Sequence, residues 1–166
     1  MSITKGPIEG VVVMARANFV DERSQLTEIF RYDQLPVWFR PEMSYLSVTI
    51  SSVMCGQHEQ VDQADLVAWY GPGEFKLTLW GYRPESPICL HRTEVAMGVN
   101  NPGLGLIPKR VVDCYRCISP EPGPVINHPS LLYMGEGKAE RIDEIRHGDN
   151  PENVFVKDKR TRRVQP

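Results

Sequence analysis

This sequence has no surplus of positive charge: 19 Lys and Arg stand against 21 Asp and Glu, a formal charge of −2. Such a chain offers no basic field for holding a nucleic-acid backbone, so composition argues against nucleic acid as its main partner. Cysteine is scarce. Of Cys55, Cys89, Cys114 and Cys117, only the last two form a C-x-x-C pair, and neither a second pair nor a nearby His completes a tetrahedral zinc set. Residues three apart on a strand point to opposite faces, so Cys114 and Cys117 read as buried thiols rather than joint ligands. No apolar run approaches the ~20 residues that span a bilayer, and the opening MSITKGPIEG lacks the charged and apolar regions of a leader. The expectation is a reduced, cytoplasmic protein with no membrane partner. No repeat of fixed period is present.

What the chain does have is a series of short β-type runs separated by Pro and Gly: VVVMARANFV, YLSVTISSVM, DLVAWY, EFKLTLWGY, EVAMGV and GLGLIPKRVVDCYRCIS. Strands at this spacing predict an all-β barrel or sandwich. SQLTEIFRYDQL carries a partial helical period and reads as a helix or as a strand ending in a short helix. AERIDEIRHG suggests a helical turn, followed by a short VFV strand. A length of 166 residues fits one domain that buries roughly two thirds of its extended surface, placed here at residues 1–156. Residues 157–166 hold five of the 19 basic side chains and read as a solvated tail. Aromatic residues such as Trp69 and Trp80 suit a barrel wall, while His91 and His147 sit in polar contexts that predict solvated side chains.

Three segments, VDERSQLTEIFR (20–31), SVTISSVMCGQHEQ (47–60) and the long stretch from IPKRVVDCYRC to GDNP (107–151), resemble in order the dTDP-4-dehydrorhamnose 3,5-epimerase family. GYRPESP (81–87) adds to the match. The resemblance implies an antiparallel cupin barrel or jelly roll with short peripheral helices, a homodimer, no cofactor and a dTDP-sugar as small-molecule substrate. It also implies a mechanism in which a His removes a proton beside a 4-keto group, a cation steadies the enolate and a Tyr returns a proton. A neutral imidazole can accept that proton near pH 7, and a cation lowers the energy of the developing charge.

Carried over residue by residue, the resemblance makes His58 the base, with Gly56 two residues ahead of it. Arg23 and Glu28 fall on substrate-binding positions, the Arg coming from the partner subunit, and Asp158 falls on the acid that orients the His. Elsewhere the chain departs. The motif Arg is Cys55, the enolate-stabilising Lys is Asp65, the second-motif His is Asp113, and the proton-returning Tyr is Asn127. Cysteine cannot replace a bidentate phosphate donor, and an amide is no useful acid at neutral pH. Tyr133 and Tyr115 are candidate substitutes for the missing acid, and His128, beside Asn127, is a further candidate contact. In metal-binding cupins the ligand positions would be His58, Gln60, Asp65 and Asp113, a weak, hard donor set that does not predict a functional metal.

The leading expectation is therefore a metal-independent, epimerase-like isomerase acting on a nucleotide-linked 4-keto-6-deoxy sugar. Its rivals are an isomerase or cyclase of secondary metabolism acting on a substrate without a nucleotide, and a non-catalytic ligand-binding cupin.

Overall fold

The computed structural model describes residues 3–5, 8–82 and 89–155. Asp158, the basic tail and most of GYRPESP lie outside the described residues. Among the described residues thirteen strands run in chain order: β1 Ile3–Lys5, β2 Val12–Ala15, β3 Asn18–Val20, β4 Gln25–Thr27, β5 Tyr45–Thr49, β6 Met54–Glu59, β7 Asp65–Trp69, β8 Glu74–Gly81, β9 Arg92–Gly98, β10 Gly103–Ile107, β11 Val111–Cys117, β12 Gly123–Pro129 and β13 Ile145–Arg146. Three single-turn 3₁₀ helices, Tyr32–Gln34, Glu136–Lys138 and His147–Asp149, are the helical elements among the described residues. The all-β expectation with short peripheral helices holds.

Six strands pair in the order β1-β2-β10-β7-β12-β5 and five in the order β13-β6-β11-β8-β9, while β3 and β4 form a separate hairpin. All pairings are antiparallel. The two sheets face each other across a shared interior, and strand alternation decides what enters it. From β7 come Val67 and Trp69, from β8 Phe75, Leu77 and Leu79, and from β11 Val111 and Cys117, all in one buried apolar cluster.

Alternate residues of the six-stranded sheet point outward. Leu66, Ala68, Leu104 and Leu106 form a second core beneath Leu35 and Phe39 of the segment after the hairpin. A third cluster on the outside of the other sheet joins Trp80, Val112 and Cys114 to Phe155 near the end of the described chain. Cys114 and Cys117 thus occupy opposite faces of β11, as their spacing requires.

SQLTEIFRYDQL forms a strand and then a 3₁₀ turn. AERIDEIRHG gives β13 and a 3₁₀ turn, but Val154 and Phe155 form no strand. β12, GPVINHP, is absent from the sequence reading, as are the short β1 and β13, and lies between β7 and β5 in the sheet. Its prolines, Gly and Asn are turn signals, yet Pro124 and Pro129 lie near its two ends and leave the central residues to pair.

Candidate active site

At one end of the interior the apolar side chains give way to polar ones. His58 and Asp113 are direct partners in the β6–β11 ladder, and a bulge follows between Asp113 and Cys114. Gly56 lies opposite this irregularity with φ of +104°, and a Cβ there would fall 2.5 Å from the Asp113 carbonyl oxygen. The glycine lets the two backbones approach at the point that sets the direction of His58.

Burial pushes the His58 imidazole below its ordinary range; Glu144 and Asp149 oppose the shift and Arg146 adds to it. Its Nδ1 lies 3.5 Å from Glu144 Oε2. Glu144 directly precedes β13, which pairs with β6 at His58 and Glu59. A carboxylate beside Nδ1 favours the proton there and leaves Nε2 with the lone pair, which is the arrangement of a general base. Asp158 was expected in this orienting role and lies outside the described residues. Glu144 was missed: in ERIDEIR it is one acid among several, and only the β6–β13 pairing singles it out.

From the facing sheet, Asp65 at the start of β7 and Asn127 on β12 complete the polar end. Asn127 Nδ2 donates to Asp65 Oδ1 at 2.9 Å and to the Tyr45 hydroxyl at 2.9 Å. Gln63 Nε2 donates to the same Asp65 oxygen at 2.9 Å. Despite these bonds, burial raises the Asp65 carboxyl to about 6, helped by the charges of Glu144 and Asp143. Burial, with Asp65 and Glu144 nearby, raises Asp113 well above the carboxylate range. Tyr115 is pushed up to about 12, first by burial, with Cys55 adding to it and Ser47 and Thr49 opposing by hydrogen bonds. Cys55 lies beside Thr49, sulfur to oxygen 3.9 Å.

Next to this polar end is a cleft of about 460 Å³ lined by residues that include Tyr45, Gln60, Gln63, Tyr133 and Glu144. The strap from Pro129 to Glu144 forms much of its wall.

The structure therefore gathers His58, Asp65, Asp113 and Asn127 at one end of the barrel, sets Cys55 and Tyr115 further along the same interior beside Thr49 and against Trp69 and Phe75, and sets Gln60 and Tyr133 on the adjoining cleft. It does not bring three other candidates there. Arg23 caps the exposed β3–β4 hairpin and pairs with Asp21 at 2.7 Å, and Glu28 pairs with Arg31 at 3.8 Å. His128 follows Asn127 on β12 and so points to the opposite face, where it is 7% exposed and packs edge-on against Phe30 at 4.9 Å. His147 was expected to be solvated, but its Nε2 lies 2.7 Å from Oε2 of the buried Glu59. Among the described residues, no group of three or more His, Cys, Asp or Glu is placed to hold a metal ion.

No protein-family model matches the chain. It is 29% identical over 114 residues to the probable low-salt glycan biosynthesis epimerase Agl13 of Haloferax volcanii, a match covering 68% of this chain and 72% of that protein. The dTDP sugar isomerase of Desulfovibrio desulfuricans G20 superimposes with a TM-score of 0.77 at 20% identity, over 94% of each chain. The dTDP-6-deoxy-D-glucose-3,5-epimerase of Legionella pneumophila, solved with dTDP-4-keto-L-rhamnose, does so with a TM-score of 0.74 at 20% identity, over 87% of this chain and 76% of that one. In fold the chain is similar to dTDP-4-dehydrorhamnose 3,5-epimerases of known structure, and in sequence to a glycan biosynthesis epimerase. Of the positions where the sequence departs from the resemblance, Asp113 is the direct ladder partner of His58, and Asp65 and Asn127 bond each other on the facing sheet.

Proposed function

We propose that this protein is a metal-independent, epimerase-like isomerase that removes a proton beside the carbonyl of a nucleotide-linked 4-keto-6-deoxy sugar, with His58 as the base. The observation that carries this reading is the His58–Glu144 pair at 3.5 Å: an imidazole kept neutral by burial, with a carboxylate on one nitrogen and the other free for the substrate. Tyr133, on the wall of the cleft, is the candidate for returning a proton. Residues 1–156 act as one catalytic unit in this reading, and the four free thiols suit the reducing cytoplasm. Among the described residues no helix is long and apolar enough to cross a membrane.

The test is deuterium uptake from heavy water into dTDP-4-keto-6-deoxyglucose at carbon 3 or carbon 5, followed by NMR. The wild type exchanges and H58N does not. No exchange by the wild type sinks the reading.

A homodimer is part of the proposal. β5 is an edge strand, and its outward Leu46 and Val48, with Ile50 just beyond, are 61%, 63% and 66% exposed, an apolar row that suits a second copy. A dimer could also bring Arg23 of one copy toward the site of the other. Sedimentation equilibrium returning a monomer at micromolar concentration would contradict it.

One observation favours a second reading. Asp65, Asp113 and Glu144 put three acids where an anionic diphosphate would gain nothing, so a keto compound without a nucleotide is the alternative substrate. Exchange into a free 4-keto sugar but not its dTDP conjugate would select it.

A further inference from the structure

Removing a proton next to a carbonyl moves an electron pair onto the carbonyl oxygen, and something must meet that charge. Among the described residues, no Lys or Arg does so from the strands that wall the polar end. On β8, Lys76 alternates with the inward Phe75 and Leu77 and pairs with Glu94 outside. On β11, Arg116 alternates with the inward Tyr115 and Cys117 and bonds the Ser52 carbonyl oxygen. Arg146, opposite His58 on β13, is held by Glu144 at 2.6 Å with its side chain 62% exposed. Among the described residues of this chain, the donors within reach are the uncharged groups of the interior.

Asp113 has the position for it. As the direct cross-strand partner of His58, it presents its carboxyl on the same face of the sheet, with Cβ atoms about 4.5–5.5 Å apart. That separation suits a base on a carbon and a donor on the oxygen of the carbonyl next to it. Asp113 shares no hydrogen bond with any described side chain, so its carboxyl is free for a ligand. A second observation points the same way from the facing sheet. Asn127 is 6% exposed, and its Oδ1 is buried with no partner while its Nδ2 serves both Asp65 and Tyr45. An orphaned acceptor in an otherwise paired cluster calls for a donor from a bound molecule, such as a sugar hydroxyl. Because Tyr45 accepts from Asn127, its own proton is available too.

We propose that Asp113 acts in its protonated form as the hydrogen-bond donor to the oxyanion formed when His58 takes the proton, so that a neutral acid does here what a cation would otherwise do. The step balances. His58 Nε2 gains the proton from carbon, the C–H pair becomes the enolate double bond, the carbonyl pair moves to oxygen, and Asp113 keeps its proton while sharing it. Collapse of the enolate reverses the flow and takes a proton from the imidazolium or from an acid on the other face. The groups facing Asp113 are His58 of β6, Asp65 of β7, Tyr45 of β5 with Asn127 of β12 bonded to it, and Glu144 of the strap. Of the acids, Asp65 and Glu144 raise its carboxyl further. A half-buried carboxyl facing two others is cheaper to keep neutral than to ionise, and a site that holds an Asp protonated as an oxyanion donor is a known solution in ketosteroid isomerase.

The inference rests on the proton-abstraction reading above, and the experiment separates the two. Deuterium exchange into the keto sugar is measured against pH for the wild type, D113N and D113L, together with the infrared carboxylic-acid stretch of each ligand-free protein at pH 7. Circular dichroism confirms that the variants fold. The wild type is expected to show an acid stretch absent from D113N, and to lose rate as pH rises through the Asp113 ionisation. D113N, an amide donor that cannot ionise, is slower but keeps its rate over that range. D113L falls by on the order of 10²–10³-fold, the usual cost of one oxyanion donor. Exchange by the wild type with D113L undiminished, or no acid stretch that D113N removes, overturns the role of Asp113 and leaves the function standing. No exchange by the wild type at any pH overturns both.

Discussion

Nδ1 of His58 lies 3.5 Å from Oε2 of Glu144, and the other oxygen of that carboxylate accepts a 2.6 Å hydrogen bond from Nε of Arg146. Arg146 thereby fixes the carboxylate, and the carboxylate fixes the imidazole. Substituting E144Q removes the charge that supports His58⁺ after it takes a proton. The exchange rate is expected to fall by on the order of 10–100-fold. Glu144 raises the His58 value, so its loss lets burial depress the imidazole further, and the acid limb of the pH–rate profile moves to lower pH. An unchanged limb would show that Glu144 does not act through His58.

Gly56 is the second point of control. Its φ of +104° and the 2.5 and 2.7 Å separations that a Cβ would have from Asp113 O and Cys114 Cα leave no room for a side chain. G56A combines backbone strain with overpacking, each worth about 1–3 kcal/mol, so a loss on the order of 2–6 kcal/mol is expected. Chemical denaturation reads it directly. Exchange activity is expected to fall even in the fraction that folds, because the bulge that aims His58 must shift.

Much of this arrangement was legible in the sequence. Alternation in DLVAWY and EFKLTLWGY marked barrel strands, and the order of the motifs placed His58, Asp65 and Asp113 near one another. Other features were not legible. Asn127 and His128 are adjacent in sequence, and only the register of β12 against β7 sends the first inward and the second outward against Phe30. β12 itself hid behind turn-forming residues. Glu144 and His147 depend on a strap that returns to β6 from more than eighty residues away, a contact for which local patterning carries no signal.

Asp65 ties stability to pH. Its carboxyl is raised from 3.8 to about 6 in the folded protein, so the native state binds the extra proton more tightly than the unfolded chain. The associated stability is present in full below about pH 4 and is lost as pH rises through 6. D65N keeps an oxygen to accept from Gln63 and Asn127 without burying a charge. It is expected to stabilise the protein by about 1–3 kcal/mol at pH 7–8 and by almost nothing near pH 4. Thermal unfolding at the two pH values checks this, and an equal gain at both would mean that the Asp65 charge is not the cause.

The last dependency lies on the outside of the same strand. Glu59 is 2% exposed and alternates with the inward His58, and its carboxylate is met by His147 Nε2 at 2.7 Å and Arg110 at 3.4 Å. His147 also stacks edge-on against Phe155 at 4.8 Å and Tyr82 at 5.5 Å. This contact clamps the segment just after β13 to β6, and β13 follows directly on Glu144. H147A leaves a buried carboxylate with one cation that is only half-shielded, and a loss of about 1–3 kcal/mol is expected, below the cost of stripping a buried charge of every partner. Because the clamp also steadies the strap carrying Glu144, H147A is expected to speed hydrogen exchange across residues 145–155 and lower kcat in the manner of E144Q. E59Q, which removes the charge that needs partners, should lose less stability than H147A when denaturant midpoints are compared. The reverse order would mean that His147 holds the strap through its ring contacts with Phe155 and Tyr82 and that the carboxylate is incidental.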